Sequence, residues 1–446
     1  MDIDIDSMIA ESAEKAQAEE AKKAAALFGD LLCSDIAHVR KSYAKLAIEG
    51  RAPGFKDGVE KFFTASEKGE RKEVKDVDIT KAKVVIESSG EQRFAVLDCN
   101  GHGSYRMRRH AFGQLAREMG APPGYLVTLP PTLALDNLAW GFKQIKDDVK
   151  KSLRVEGGEI RAIVSGRYAP LDDRQACALL YAALEQAGRL DEAQIESWAS
   201  GTASQMTVTF GDMAAAVDKG YALHGANGAE GLGLRAGITM KNAELGNGSL
   251  GISAAMWRHW CSNGAIIEAV RGMEASWARR HMGDWKAQAV ELADALLEIL
   301  KTSNEVLVKA VPGALADAFK PEELQDRIKK LGLTRLERKA VLRTVLSEAL
   351  GMYRFEPAAV GLANTAAERE AADVMRALEE AKKEEETNEV LAALRGHIID
   401  NGRENGAFTA WDLVNGITAT ARDHESPERA AELEALGGKI LAEYLH

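Results

Sequence analysis

The spacing of apolar side chains changes twice along this chain of 446 residues, and that change constrains the fold more than any single motif. Near the N-terminus Ala26, Leu27, Leu31, Leu32, Ile36, Val39, Tyr43 and Leu46 recur three and four apart, the step of an amphipathic helix, so one or two helices are expected over 9–49. Between about 80 and 270 the step shortens to that of strands. Lys83-Val84-Val85-Ile86-Glu87 and Phe94-Ala95-Val96-Leu97-Asp98 flank a Ser-Ser-Gly break, and Gln205-Met206-Thr207-Val208-Thr209-Phe210 alternates. Two further strands are expected around the polar turn Asn242 to Gly248. From Trp277 onward the helical step returns. The expected class is α+β: a central curved antiparallel sheet with packed helices, between an N-terminal helical arm and a helical C-terminal domain. The expected divisions are 1–75 for the arm and a charged linker, 76–275 for the central domain and 276–446 for the helical domain.

Local signals refine this outline. Residues 65–78 are rich in Lys and Glu and read as a solvated connection. Tyr105 to Met119 reads as a helix, and Leu133, Leu135, Leu138, Phe142, Ile145 and Val149 suggest a longer one over 133–151. Glu156-Gly157-Gly158-Glu159 between two β-branched runs is a hairpin signal. Asp172 with Gln175, and Thr334 with Glu337, have the spacing of helix capping boxes. Glu305 to Phe319 and Pro321 to Leu331 read as helices, 365–399 as a long charged helix, and Ser426-Pro427 as the start of the last one.

Composition excludes whole classes. With 46% hydrophobic and 28% charged residues the chain is neither disordered throughout nor collagen-like. Four scattered cysteines make neither a disulfide framework nor a zinc ribbon, so reduced thiols are expected. The acidic start and the absence of a long apolar run point to a cytoplasmic protein with no membrane partner. The net charge of −11 repels polyanions globally, so any nucleic acid must be met by a local basic face.

Two stretches supply such faces. Tyr105-Arg106-Met107-Arg108-Arg109 is the first, with Lys143, Lys146 and Lys150 expected on one face of the 133–151 helix. The second runs from Trp257 to Trp285, where four of the seven tryptophans stand among Arg258, Arg271, Arg279 and Arg280. Aromatic rings that stack bases, with cations on the phosphates, are what single-strand binding requires. For Trp257 and Trp260, which three apart on a helix would share one face, the core is the expected place. The turn containing Lys241, Asn242, Glu244 and Asn247 offers exposed amides and a cation to a strand; a self-satisfied hairpin tip is its plainer reading.

Catalytic patterns are sparse. His259, Cys261 and Asn263 have the residue types of an activated thiol, but that chemistry is set by position in space. Cys99 and His102 lack a second pair of metal ligands, no P-loop or His-Glu-x-x-His run is present, and no metal or cofactor is expected.

Three ordered motifs carry a resemblance. They are Gly237-Ile238-Thr239-Met240-Lys241-Asn242-Ala243-Glu244-Leu245-Gly246-Asn247-Gly248-Ser249-Leu250-Gly251 running into Trp257-Arg258-His259-Trp260-Cys261-Ser262-Asn263-Gly264, Arg161 to Asp172, and Ala410 to Thr418. Over roughly 80–445 the chain resembles the phage/plasmid-like proteins that contain the domain of unknown function numbered nine hundred and thirty-two. Ala243 stands where that motif more often has Ser. The resemblance implies a mobile-element protein and carries over no catalytic residue.

The functional expectation is a nucleic-acid-binding protein of a mobile element, binding or annealing single strands without catalysis and assembling as a homo-oligomer. Its expected contacts are Tyr105, Arg106, Arg108, Arg109, Lys143, Lys150, Lys241, Asn242, Asn247, Trp277, Arg279 and Arg280. A scaffold or regulatory protein is one alternative. A hydrolase or transferase built on Asp172, Glu244, His259 or Cys261 is the other.

Overall fold

The computed structural model describes residues 40–42, 54–66, 70–89, 92–126, 128–145, 149–199, 202–210, 234–258, 263–267, 276–282, 285–349, 408–424 and 427–445. The chain adopts an α+β fold, with its strands shared between two sheets. The first sheet has the order β2-β6-β7-β5-β4-β3, from β2 (Arg71–Asp78), β3 (Lys83–Ser89), β4 (Gln92–Asp98), β5 (Ser104–Met107), β6 (Lys150–Glu156) and β7 (Glu159–Ser165). Only β5 and β7 pair in parallel. Helix α2 (Arg109–Glu118) packs on β7 and α4 (Pro131–Phe142) on β3; α1 is Phe55–Ser66 and α3 the short Pro123–Leu126. Leu97, Met107, Phe112, Leu115, Leu138, Leu153, Val155 and Ile160 fill the space between helices and sheet.

The second sheet has the order β1-β8-β9-β10-β11-β12, from β1 (Arg40–Ser42), β8 (Ala193–Ala199), β9 (Ser204–Phe210), β10 (Leu234–Asn242), β11 (Ser249–Arg258) and β12 (Asn263–Ile267). A further strand, β13 (Ser276–Arg280), shares the outer edge of β11 with β12: Ser249 to Ser253 pair with β13 and Ala254 to Arg258 with β12. Helices α5 (Asp173–Gln186) and α6 (Trp285–Glu305) cover one face, closing Leu180, Leu184, Leu296 and Ile299 over Val208, Ile238 and Ile252. The same core runs on into α7 (Val311–Ala316), α8 (Pro321–Lys329), α9 (Arg335–Ala349), α10 (Ala410–Arg422) and α11 (Pro427–Ala442), with β14 (Ala318–Phe319) paired to β15 (Phe408–Thr409).

Both capping boxes are made. Gln175 accepts from the Asp172 backbone at 2.9 Å, and Glu337 accepts from the Thr334 backbone at 2.7 Å. Gly157 and Gly158 turn the β6–β7 hairpin at positive φ. Among the described residues no helix is long and apolar enough to cross a membrane.

Several local expectations are corrected. The helix expected over 133–151 ends at Phe142, and Lys150 lies on β6, so Lys143 and Lys150 do not share a helix face. Val149 and Ile145 instead pack at the strand end of the first core. Residues 104–107 form β5 before the helix begins. The charged stretch expected to be a solvated linker contains β2, a sheet-edge strand whose Val77 is buried. Arg40 to Ser42 are extended against β8, not helical. After α6 the chain makes a π turn over Val306–Ala310, then α7 and β14, in place of one helix to Phe319. The expected helix over 365–399 lies outside the described residues.

Candidate nucleic-acid interface

Strand β6 reads Lys-Lys-Ser-Leu-Arg-Val-Glu, and its alternation sends Leu153 and Val155 into the first core. Its other face carries Ser152, Arg154 and Glu156, which would normally meet water. All three are buried, because the tip of the β10–β11 hairpin lies across this side of the first sheet. Leu245 packs on Ala162 and Val164, and its carbonyl accepts from Gln114 Nε2 at 2.8 Å. Gly246 turns at φ +80°, where a side chain would be strained and its Cβ would stand 2.8 Å from Val164 Cγ1.

Charge is concentrated beneath this tip. Glu156, 1% exposed, accepts from Arg71 Nε and Arg108 Nη1, each at 2.8 Å, and lies 3.5 Å from Arg161 Nε. Glu244, 3% exposed, is bound by Arg161, by Arg71 at 3.3 Å and by the Asp173 backbone N–H at 3.0 Å, at the start of α5. Arg108 also reaches Glu159 at 3.0 Å, and Arg154 pairs with Asp172. Burial opposes the charge on Glu156, but Arg161, Arg71 and Arg108 outweigh it and hold the carboxyl below its usual range. Burial, with Arg71 next to it, lowers Arg161 to about 10. Asp173 is displaced the other way: burial raises it, despite hydrogen bonds from Ser204 Oγ at 2.6 Å and Asn242 Nδ2 at 2.8 Å. His281 stacks on Tyr168 with ring centroids 5.1 Å apart, and burial together with Arg154 lowers it to about 4.

These groups join two sheets. Glu244 accepts from the backbone of Asp173, the neighbour of Asp172, and each of the two carboxylates is held by guanidinium groups, which suits them to structure. His259 and Cys261 lie outside the described residues. Cys99 is buried and raised to about 11, mainly by burial, and its thiol faces the Leu97 carbonyl at 3.7 Å. Among the described residues no group of three His, Cys, Asp or Glu side chains could hold a metal ion.

A cleft of about 510 Å³ opens beside the base of the hairpin, lined in part by Lys241, Asn247, Ser249, Gly251, Ser253, Ser276 and Ala278. Along β10, β11 and β13 these positions alternate with the core residues Met240, Leu250, Ile252 and Trp277, so the cleft lies on the sheet face turned away from α5 and α6. The register pairs Lys241 with Gly251 and Gly251 with Ala278, and pairs Ser249 with Arg280. Paired residues share a face, so Arg280 stands at the rim on the Lys241 side of the sheet.

The expected contact residues are thereby divided. Lys241, Asn242, Asn247 and Trp277 line the cleft, and Arg280, paired with Ser249, stands at its rim. Asn242 is fully buried on the opposite face, donating to the Leu171 carbonyl at 3.1 Å and to Asp173. The Trp277 indole is in the core, where Arg279 packs over it at 5.3 Å and pairs with Glu291 at 2.6 Å. Trp257, expected on a helix, is on β11 and 2% exposed. The others belong to the first sheet and its helices. Arg108 is consumed by the ionic network, Arg106 faces Glu87 at 4.0 Å, and Tyr105 donates its hydroxyl to the His102 carbonyl at 3.0 Å beneath Lys72. Arg109, Lys143 and Lys150 are exposed, on the first turn of α2, just past α4 and on β6.

Sequence reasoning missed Arg71, Arg154, Glu156 and Arg161 as a group. For Arg154, Glu156 and Arg161 a signal was present, charged residues at alternate positions of otherwise apolar strands; Arg71, on the mostly charged strand β2, carried none. No family model, curated protein or solved structure matches this chain.

Proposed function

We propose that this protein binds a single strand of nucleic acid across the cleft of the second sheet. The observation that supports the reading is the concentration of Lys241 and Arg280 with the hydroxyls of Ser249, Ser253 and Ser276 on one sheet face of a chain whose net charge is −11. An acidic protein meets a polyanion through such a local patch, and cations with small hydroxyl side chains are common phosphate partners. Tyr105, Arg106, Arg108 and Arg279 are left out of this interface, since each is engaged elsewhere, whereas Asn242 and Trp277 line the cleft with buried side chains. The mobile-element association rests on the resemblance of the three motifs. The test is fluorescence anisotropy of a labelled single-stranded oligonucleotide at two salt concentrations, with duplex as competitor. Salt-sensitive binding that duplex does not displace, and that Arg280→Glu abolishes, is the expected result. Absence of binding at low salt would overturn the reading.

A further inference from the structure

Helix α4 carries a single charged residue, Asp136, in its twelve, Pro-Thr-Leu-Ala-Leu-Asp-Asn-Leu-Ala-Trp-Gly-Phe. Its inward line, Ala134, Leu138 and Phe142, is buried in the first core. The outward face is apolar as well: Leu133 is 46% exposed, Trp140 is 66% exposed, and Ala139 lies exposed beside them. A helix that is apolar on both sides is normally covered on both sides. Other exposed apolar side chains do not make this pattern. On α6, Val290 and Leu297 stand among Glu291, Asp294, Glu298 and Lys301, the mixture of an ordinary solvated face.

The charges on the outward face of α4 choose its occupant. At the helical period Asp136 and Lys143, the C-cap residue, fall on the midline of that face, with Trp140 and Leu133 to one side and Ala139 to the other. Both are exposed, and neither is held by another charged group among the described residues. They are two turns apart, about 10.5 Å along the axis. A second, antiparallel α4, related by a twofold axis level with Ala139 and Trp140, would set each Asp136 opposite the Lys143 of the other copy and bring the two Trp140 rings together beside the axis. A phosphate strand would instead meet Asp136 in the middle of the face, which makes it the poorer fit. Copies of a chain whose net charge is −11 repel one another, and a face with one acid and one base is where two of them can approach.

Independently of the strand-binding reading, we infer that the protein forms a twofold-symmetric homodimer through the outward face of α4. The β10–β11 hairpin docks on the opposite face of the first sheet, so the pairing is remote from it. A helix of twelve residues is about 18 Å long, too short a contact for an obligate dimer, so the association is reversible and follows concentration.

The experiment is sedimentation velocity of the full chain from low to high micromolar concentration, with urea midpoints to verify folding. The parent protein should pass from monomer to dimer across this range. Trp140→Ala, Asp136→Lys and Lys143→Glu alter exposed groups, so the midpoints should hold while the dimer dissociation constant rises about tenfold or more, through a lost aromatic contact or opposed like charges. Asp136→Lys combined with Lys143→Glu restores opposite charges across the axis and should return the constant to within about threefold of the parent value. A parent protein that is monomeric at every concentration would overturn the inference. In that monomer, a lower urea midpoint for Trp140→Ala would give the face to another segment of the same chain, and loss of oligonucleotide binding would give it to a strand. Dimerisation unchanged in all three single variants, or a double variant no tighter than the singles, would place the contact elsewhere and overturn the inference as well.

Discussion

His281 shows how far burial can move a single group. Its ring is held against Tyr168, and burial together with Arg154 lowers its proton affinity from 6.5 to about 4. Between those values the unfolded chain takes up a proton that the folded chain refuses, so this residue's contribution to stability falls as pH drops from about 6.5 to about 4 and is level below that. The full difference is of the order of 3 kcal/mol. His281→Phe keeps a ring beside Tyr168 and removes the titration. Urea midpoints at pH 7 and pH 4.5 should therefore differ less in the variant than in the parent protein, and an equal difference in both would refute the assignment. Arg108 teaches the complementary lesson: an arginine inside a basic run is not thereby available to a ligand, because Glu156 and Glu159 hold it.

At the scale of elements the β10–β11 hairpin is the decisive piece. Its tip was legible as a Gly-rich polar turn between strands, and the strands formed where alternation placed them. What the sequence pattern could not convey was that Ala243, Glu244 and Leu245 would be buried against a different sheet, since long-range docking leaves no local period. Gly246 belongs to that docking. Gly246→Ala should lower stability by about 1–3 kcal/mol, through the positive φ and the approach of Val164, as measured by chemical denaturation. The helix expected over 133–151 failed for a related reason. Ile145 and Val149 continue its apolar period, yet they lie between the helix end at Phe142 and the start of β6 at Lys150, and a step of three or four over so few residues does not distinguish a helix from the approach to a strand. The capping boxes at Asp172 and Thr334 were legible because they depend only on neighbours in sequence.

At the scale of the whole molecule the two sheets are joined by the charged groups beneath the hairpin tip. Removing one partner of a buried pair costs more than the pair contributes, because the remaining charge stays in a poor solvent. Glu244→Gln leaves Arg71 and Arg161 short of a carboxylate and should destabilise the protein by roughly 3 kcal/mol. Since each sheet has its own apolar core, calorimetry should show a single transition for the parent protein and one that broadens or divides into two for this variant. A single, equally sharp transition at unchanged temperature would mean that apolar contact alone couples the sheets.

The strand once expected to be a linker has a different kind of consequence. Strand β2 is the outermost of its sheet, carries Lys72, Lys75 and Asp76, and breaks register between Val74 and Val77, with Asp76 at φ +56°. Charge and a kink on an edge strand make it a poor template for another molecule's strand. The same few residues that disguised β2 as solvated chain thus guard the protein against polymerising through its own backbone at high concentration.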